Sequence, residues 1–324
     1  MNNSTSSSLK DSGIVWCILF SVQSIFIVVL NTMTVATFLI NRHLRKRSVY
    51  LLINLCIADL FVGLISMPFC IYDIGLRSGI FTTVIPKMTF YFLYVFIDIC
   101  FGLSSVVNLT FIALERMRAT VWPIRHHSSR PQMYFYLIVA AWLIPAAIAG
   151  WQVVNLKFRN LLLPYWIPHV IILGLLLIIA FSYTVVFVSF KKKIWNGSNF
   201  TRSLRTSTSS RRDRKLAVTL FVVTATSCLA WLPFFVLYLI ILYTKFTVSY
   251  NTIYAFKLLH YSNSFVNPII FVIKMREFRA AFFSLLRRCS RDQGYVQQSM
   301  ILLESILKHR RSLKEQGNHC GESS

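Results

Sequence analysis

The stretch Tyr91-Phe-Leu-Tyr-Val-Phe-Ile-Asp98-Ile-Cys100, which runs on to Ala113-Leu-Glu115-Arg116-Met117, decides how this chain is read. Between Tyr91 and Met117 the only charges are Asp98 near one end and the Glu115-Arg116 pair at the other. As a helix rising 1.5 Å per residue, the stretch sets Asp98 and Arg116 roughly 27 Å apart, close to the hydrocarbon thickness of a bilayer. A carboxylate inside such a segment costs roughly 2.5–3.5 kcal/mol on insertion scales, so Asp98 marks a functional position by default.

The apolar character recurs outward in both directions. Of 324 residues, 56% are hydrophobic and only 14% charged, too apolar for an ordinary soluble domain. The pattern predicts an all-α membrane protein with seven spans: Ile14–Ile40, Ser48–Ile74, Val84–Arg118, Met133–Trp151, Pro164–Phe190, Lys215–Leu242 and Thr252–Ile273. Each provides the roughly 20 residues that a spanning helix needs. They read as one bundle within residues 14–288, between a short segment at 1–13 and a tail at 289–324.

The net charge of +23 is placed by topology. All but seven of the 34 basic residues fall in Arg42–Arg47, Arg116–Arg130, Lys191–Lys215 and the tail from Lys274. This alternation of loops puts the N-terminus outside and the C-terminus in the cytoplasm. It excludes a nucleic-acid surface, which needs one continuous basic face. Residues 1–13 are polar and Ser-rich with no apolar signal core, so the first span is expected to direct insertion. Asn2 and Asn3 head glycosylation sequons in that segment. Asn108 heads one inside a span, and Asn196 and Asn199 head two in a basic loop, all three read as chance matches. No cysteine falls in an outside loop, so no extracellular disulfide is expected. Ser198–Arg212 is a low-complexity Ser/Thr/Arg stretch that reads as a loop. The absence of internal repeats weighs against many transporter folds.

The polar residues inside the spans have physical demands of their own. Asp59 lies about eleven residues into its span and needs partners near the bilayer middle. Asn31, Ser105, Asn263, Ser264 and Asn267 bring amides and hydroxyls to a similar depth, a set able to hold a small hard cation or a water cluster. Pro233 and Pro268 each remove a helical hydrogen bond and predict kinks, with Trp231 within a turn of the first. Asp213 lies roughly 30 Å down its helix from Pro233, at the end where Arg116 emerges. An arginine–carboxylate clasp between those helices is therefore expected.

Several motifs follow one another on consecutive spans. They are Asn31; Asn54-Leu-Cys-Ile-Ala-Asp59; Glu115-Arg116-Met117 with Trp122-Pro123; Trp142-Leu-Ile-Pro145; Trp231-Leu-Pro233-Phe234-Phe235; and Asn263-Ser264 with Asn267-Pro268-Ile-Ile-Phe271. In this order they resemble the rhodopsin-like (class A) G-protein-coupled receptors over Ile14 to Cys289. The resemblance implies a plasma-membrane bundle of seven helices with a short cytoplasmic amphipathic eighth helix. It also implies a small extracellular ligand, a heterotrimeric G protein, membrane lipids as surroundings, and no enzymatic activity. Arg116 resembles the family residue that meets the G protein, with Glu115, Asp213 and Tyr183 in the inactive-state latch. Asp59, Ser105, Asn263, Ser264 and Asn267 match the family's sodium pocket. Asp98 and Tyr261 stand where amine receptors hold a ligand ammonium, with Trp231, Phe234, Phe235, Lys257 and His260 around them. This leans toward a cationic amine. The competing reading of Asp98 is internal pairing with Tyr261, Lys257 or His260.

Departures from the family pattern narrow the ligand. Tyr91 replaces the usual cysteine at the start of the third helix, and Leu175 replaces a proline in the fifth. Ile167 and Ile171 stand where catecholamine receptors carry hydroxyls. Phe271 and Ala230 replace a tyrosine and a cysteine. A catecholamine is disfavoured. The retinal lysine would fall at Tyr261, with Lys257 one turn away, so no retinal or other cofactor beyond sodium is expected. The alternatives are a receptor for a nucleoside, lipid or peptide, or an ion or proton transporter using Asp59, Asp98, His169 and His260. An amphipathic stretch beginning near Arg276, with Phe278, Phe282 and Leu285 or Leu286 on one face, is expected on the inner leaflet, ending at a palmitoylated Cys289.

Overall fold

A computed structural model describes residues 3–44, 49–82, 85–124, 131–158, 167–197, 206–244 and 247–288, and among these the regular elements are all helical. The chain divides into two compact units, Met1–Phe278 and Arg279–Ser324. The first unit holds the bundle. Its helices are α1 (Asn3–Ile40), α2 (Val49–Phe61), α3 (Met67–Arg77), α4 (Lys87–Val121), α5 (Pro131–Lys157), α6 (Ile167–Gly197), α7 (Thr206–Thr244) and α8 (Tyr250–Lys274). A last helix, α9, spans residues 276–288 after a break at Met275 and matches the expected eighth helix in length.

The second expected span is α2 and α3 joined through a π-helical turn, Val62–Ser66. The turn ends where Pro68 enters the first turn of α3, a position that tolerates a residue without an N–H. Gly63 lets the turn approach α1, since a Cβ there would lie 2.8 Å from Ile27. The Ser24 hydroxyl of α1 donates to the Gly63 carbonyl at 2.8 Å.

Two helices begin much sooner than expected. α1 starts at Asn3, taking in most of the polar N-terminal segment, and α7 starts at Thr206, taking in the end of the low-complexity loop. Neither extension contains a proline, and Arg211, Arg212, Arg214 and Lys215 are strong helix formers. Composition marks these stretches as polar but leaves the backbone free to continue its hydrogen bonding. Asn108 is buried inside α4, so its sequon is closed to modification.

Among the described residues, six helical segments are long and apolar enough to cross a membrane. They are Leu9–Ile40, Val49–Arg77, Lys87–Val121, Gln132–Lys157, Val170–Lys192 and Val218–Ile241. The seventh expected span is α8, whose 25 residues cover roughly 37 Å. It is less apolar because Lys257, His260, Asn263, Ser264 and Asn267 lie along it, and all five are buried inside the bundle. Conversely, large apolar residues face outward, with Phe181 64% and Leu229 69% exposed. This inside-out distribution suits lipid as solvent.

α4 is the central helix, in contact with α2, α5, α6 and α7. One polar tie fixes it against two neighbours. Asn54 of α2 donates to Asn108 Oδ1 at 2.7 Å and accepts from Trp142 Nε1 of α5 at 3.0 Å. Two prolines show why other helices supply polar groups here. Pro145 cannot donate to the carbonyl of Ala141, one turn earlier, and the Ser104 hydroxyl of α4 donates to that carbonyl at 2.9 Å. Pro268 likewise leaves the Ser264 carbonyl without its helical donor, and Asn31 Nδ2 of α1 supplies one at 2.9 Å.

Ser104→Ala is expected to lower stability by about 1–3 kcal/mol by leaving the Ala141 carbonyl unsatisfied. In a Pro145→Ala background that carbonyl regains a helical donor, so the cost of Ser104→Ala should shrink. Thermal unfolding of the detergent-purified protein measures both, and equal costs in the two backgrounds would remove this role for Ser104.

Candidate functional site

Asp98 lies three turns into α4, and Lys257 and Tyr261 lie one turn apart on the facing side of α8. The three meet. Lys257 Nζ donates to Asp98 Oδ2 at 2.9 Å, and the Tyr261 hydroxyl donates to Asp98 Oδ1. Lys257 and Asp98 side chains are 9% and 16% exposed, so this is a largely desolvated ion pair joining two helices. Lys257 Nζ also donates to the Tyr94 hydroxyl and sits 4.6 Å from the centre of the Tyr94 ring. It lies 5.5 Å from the Tyr261 ring and 5.9 Å from the Phe234 ring, within cation–π range of both. Internal pairing of Asp98 is therefore what the structure shows.

His260 connects this cluster to Trp231. Its ring stacks on Phe234 at 5.2 Å and on Tyr261 at 5.2 Å, and meets the Trp231 indole edge-on at 4.0 Å. His260 Nδ1 and Trp231 Nε1 are both buried without hydrogen-bond partners among the described residues. Gly102 of α4 lies beside them, where a Cβ would make ordinary contact with the indole at 3.5 Å. Phe235 is buried on the same helix as Phe234. Among the expected ligand-site residues, Asp98, Lys257, His260, Tyr261, Phe234 and Trp231 thus form one connected set.

Tyr94 is the residue that sequence reasoning leaves out. It is buried and lies one turn before Asp98, on the same face of α4, a spacing that could have flagged it. Phe90 continues the face another turn and stacks with Tyr94 at 6.3 Å and with Phe69 of α3 at 5.7 Å. Phe20 of α1 closes the set edge-on against Tyr261. In place of the helix-five hydroxyls, Ile171 packs with Ile172 and Leu175 against Leu103, Val106 and Trp231. The side chain of His169 lies outside the described residues.

Deeper in the bundle, Asp59 is fully buried and accepts from the Ser264 hydroxyl at 2.9 Å and from Asn267 Nδ2 at 2.8 Å. Asn263 Nδ2 donates to Ser105 Oγ at 3.4 Å, while Asn263 Oδ1 is buried without a partner among the described residues. Ser227 of α7 donates to Asn267 Oδ1 at 3.4 Å. Carboxylate, hydroxyl and orphan amide oxygens together suit a small hard cation, so the expected sodium residues fit the ion chemically.

At the far end of α4, Arg116 pairs with its neighbour Glu115, and both are buried. Glu115 Oε1 also accepts from the Tyr134 hydroxyl of α5 at 3.3 Å. The Tyr183 hydroxyl of α6 shares a hydrogen bond of 3.1 Å with Thr224 of α7. The side chain of Asp213 lies outside the described residues. Phe271, in place of a tyrosine, is fully buried between Phe38 and Phe278.

The family model for 7 transmembrane receptors (rhodopsin family) matches residues 30–271. The chain belongs to that family. Galanin receptor 2b of Danio rerio is 26% identical over 303 residues, covering 87% of this chain and 77% of that protein. The 5-hydroxytryptamine receptor 4 of Homo sapiens is 25% identical, covering 81% and 76%. Adenosine receptor A3 of Ovis aries is 23% identical, covering 80% and 85%. The protein is thus a multi-pass plasma-membrane receptor that signals through G proteins, and it is not an enzyme. Kinship at this distance sets the receptor class and leaves the ligand to the site.

Breaking one partner of a buried ion pair leaves the other charge uncompensated, at about 3–5 kcal/mol. Asp98→Asn and Lys257→Gln are each expected to destabilise the receptor by about that much. The double variant should recover a large part of the loss, as read from thermal unfolding in detergent. Strictly additive losses would show that the pair does not hold α4 to α8.

Proposed function

We propose that this receptor takes a small extracellular ligand at the Asp98–Lys257 cluster and passes the signal through His260 and Trp231 to a G protein at the Arg116 end. The observation that carries the reading is the continuous side-chain chain from the ion pair to the indole. Lys257, Asp98, Tyr261, His260 and Trp231 touch in sequence, so displacement at the pair is felt at the turn of α7 that carries Pro233. The alternation of basic loops supports an outside N-terminus, which would put Asp98 toward the extracellular side and Arg116 toward the cytoplasm.

The names of the relatives include galanin, 5-hydroxytryptamine and adenosine, so they favour no single ligand chemistry. A plain cationic amine meets an aspartate already paired with Lys257, which weakens the lean drawn from Asp98 and Tyr261 alone. Sodium would be held by Asp59, Ser105, Asn263, Ser264 and Asn267, where it would supply the positive charge that a buried carboxylate lacks. The orphan Asn263 oxygen supports that reading. The face of α9 that carries Phe282 and Leu285, spaced as an amphipathic helix, supports a place on the inner leaflet. Cys289, the proposed palmitate site, and the sequons at Asn2 and Asn199 lie outside the described residues, as do the side chains of Asn3 and Asn196.

Arg116→Ala is expected to abolish or strongly reduce G-protein activation without preventing membrane insertion. Unchanged signalling at equal expression would defeat the assignment of that end.

Asp213→Ala is expected to raise basal signalling, because losing a latch partner shifts the population toward the open state. The gain is limited to about 1 kcal/mol if the pair is solvent-exposed. A flat basal signal in a membrane reporter assay counts against the latch.

A further inference from the structure

We infer that the ligand of this receptor is a small zwitterion, carrying an ammonium for Asp98 and a carboxylate for Lys257. The inference rests on the proposed ligand site at that pair. Two opposite charges lie 2.9 Å apart in a largely desolvated place, joining α4 to α8. A ligand with a single charge either displaces one partner from the other or adds a net charge to the desolvated site. An amine that took Asp98 would leave the Lys257 ammonium buried and uncompensated. A carboxylate that took Lys257 would do the same to Asp98. Buried charges left alone are strongly unfavourable. A zwitterion avoids both penalties, because each protein charge exchanges its partner for a ligand group of the same sign. The site stays neutral, and α4 is released from direct attachment to α8.

The surroundings suit this exchange. The hydroxyls of Tyr261 and Tyr94 already serve Asp98 and Lys257 and remain to orient each once separated. The Tyr94, Phe234 and Tyr261 rings around Lys257 offer faces to the ligand ammonium or to an apolar body between its charges. Amino acids are the simplest members of this chemical class.

The test uses the full chain in a G-protein reporter assay with matched probes. Each standard amino acid, β-alanine and γ-aminobutyrate is compared with its own amine lacking the carboxylate and its own acid lacking the ammonium. At least one zwitterion is expected to exceed both single-charge partners by about 30-fold or more in potency. In Asp98→Asn the acid partner should overtake the zwitterion, and in Lys257→Gln the amine partner should do so. The double variant Asp98→Asn/Lys257→Gln, which leaves no lone charge to unfold the bundle, should lose the zwitterion response at normal surface expression. A merely structural ion pair would not produce these reciprocal switches. Amines or acids as potent as their zwitterions on the unmodified receptor would overturn the inference. So would silence toward every zwitterion at millimolar concentration, or a zwitterion response that persists in the double variant. Basal signalling in an Asp213→Ala background separates the two levels. If Arg116→Ala removes that signal while zwitterions stay silent, the receptor reading stands and the zwitterion falls.

Discussion

A bilayer offers no hydrogen bonds, so every polar group within the spans must find its partner inside the protein. That constraint organises the bundle. Polar residues gather on α8 and on the inward faces of α2 and α4, while apolar residues turn out toward lipid. The result is three polar levels along the bundle: the Asp98–Lys257 pair, the Asp59 cluster, and the Glu115–Arg116 end. Aromatic and aliphatic packing fills the space between them.

The polar contacts within the bundle differ in how they are satisfied, and that difference suggests how they work. The Asn54–Asn108–Trp142 tie is neutral and closed, which makes it a rigid joint. The Asp98–Lys257 pair is charged and largely desolvated, and it joins α4 directly to α8. Between the pair and Pro233 stand His260 and Trp231, each with a ring nitrogen that has no partner among the described residues. A group left unpaired in one arrangement is a natural source of bias toward another.

Much of this is legible in the sequence, for reasons that particular residues make plain. Helical spans declare themselves because lipid demands long apolar runs, and a lone charge such as Asp98 stands out against them. Asp59 and its partners are legible because a central carboxylate has few candidates at its own depth. The choice of Lys257 as partner to Asp98 is not, because it depends on how far α8 is rotated against α4. The π-helical turn at Val62–Ser66 is equally hidden, since Pro68 signals a disturbance without stating its form. The early starts of α1 and α7 escape because polar composition says where a chain meets water, not where its helix ends. Tyr94 was within reach of helical spacing alone.

The amide of Asn31 on the Ser264 carbonyl has a mechanical consequence. A proline normally leaves its helix a loose joint, since the carbonyl one turn back has nothing to hold it. Here that joint is pinned from outside by α1, so bending α8 at Pro268 means stretching or breaking a bond worth about 1 kcal/mol. The first helix therefore behaves as a brake on α8. Ser264 is held through both its atoms, the carbonyl by Asn31 and the hydroxyl by Asp59. Releasing the brake and disturbing the central carboxylate are for that reason one movement.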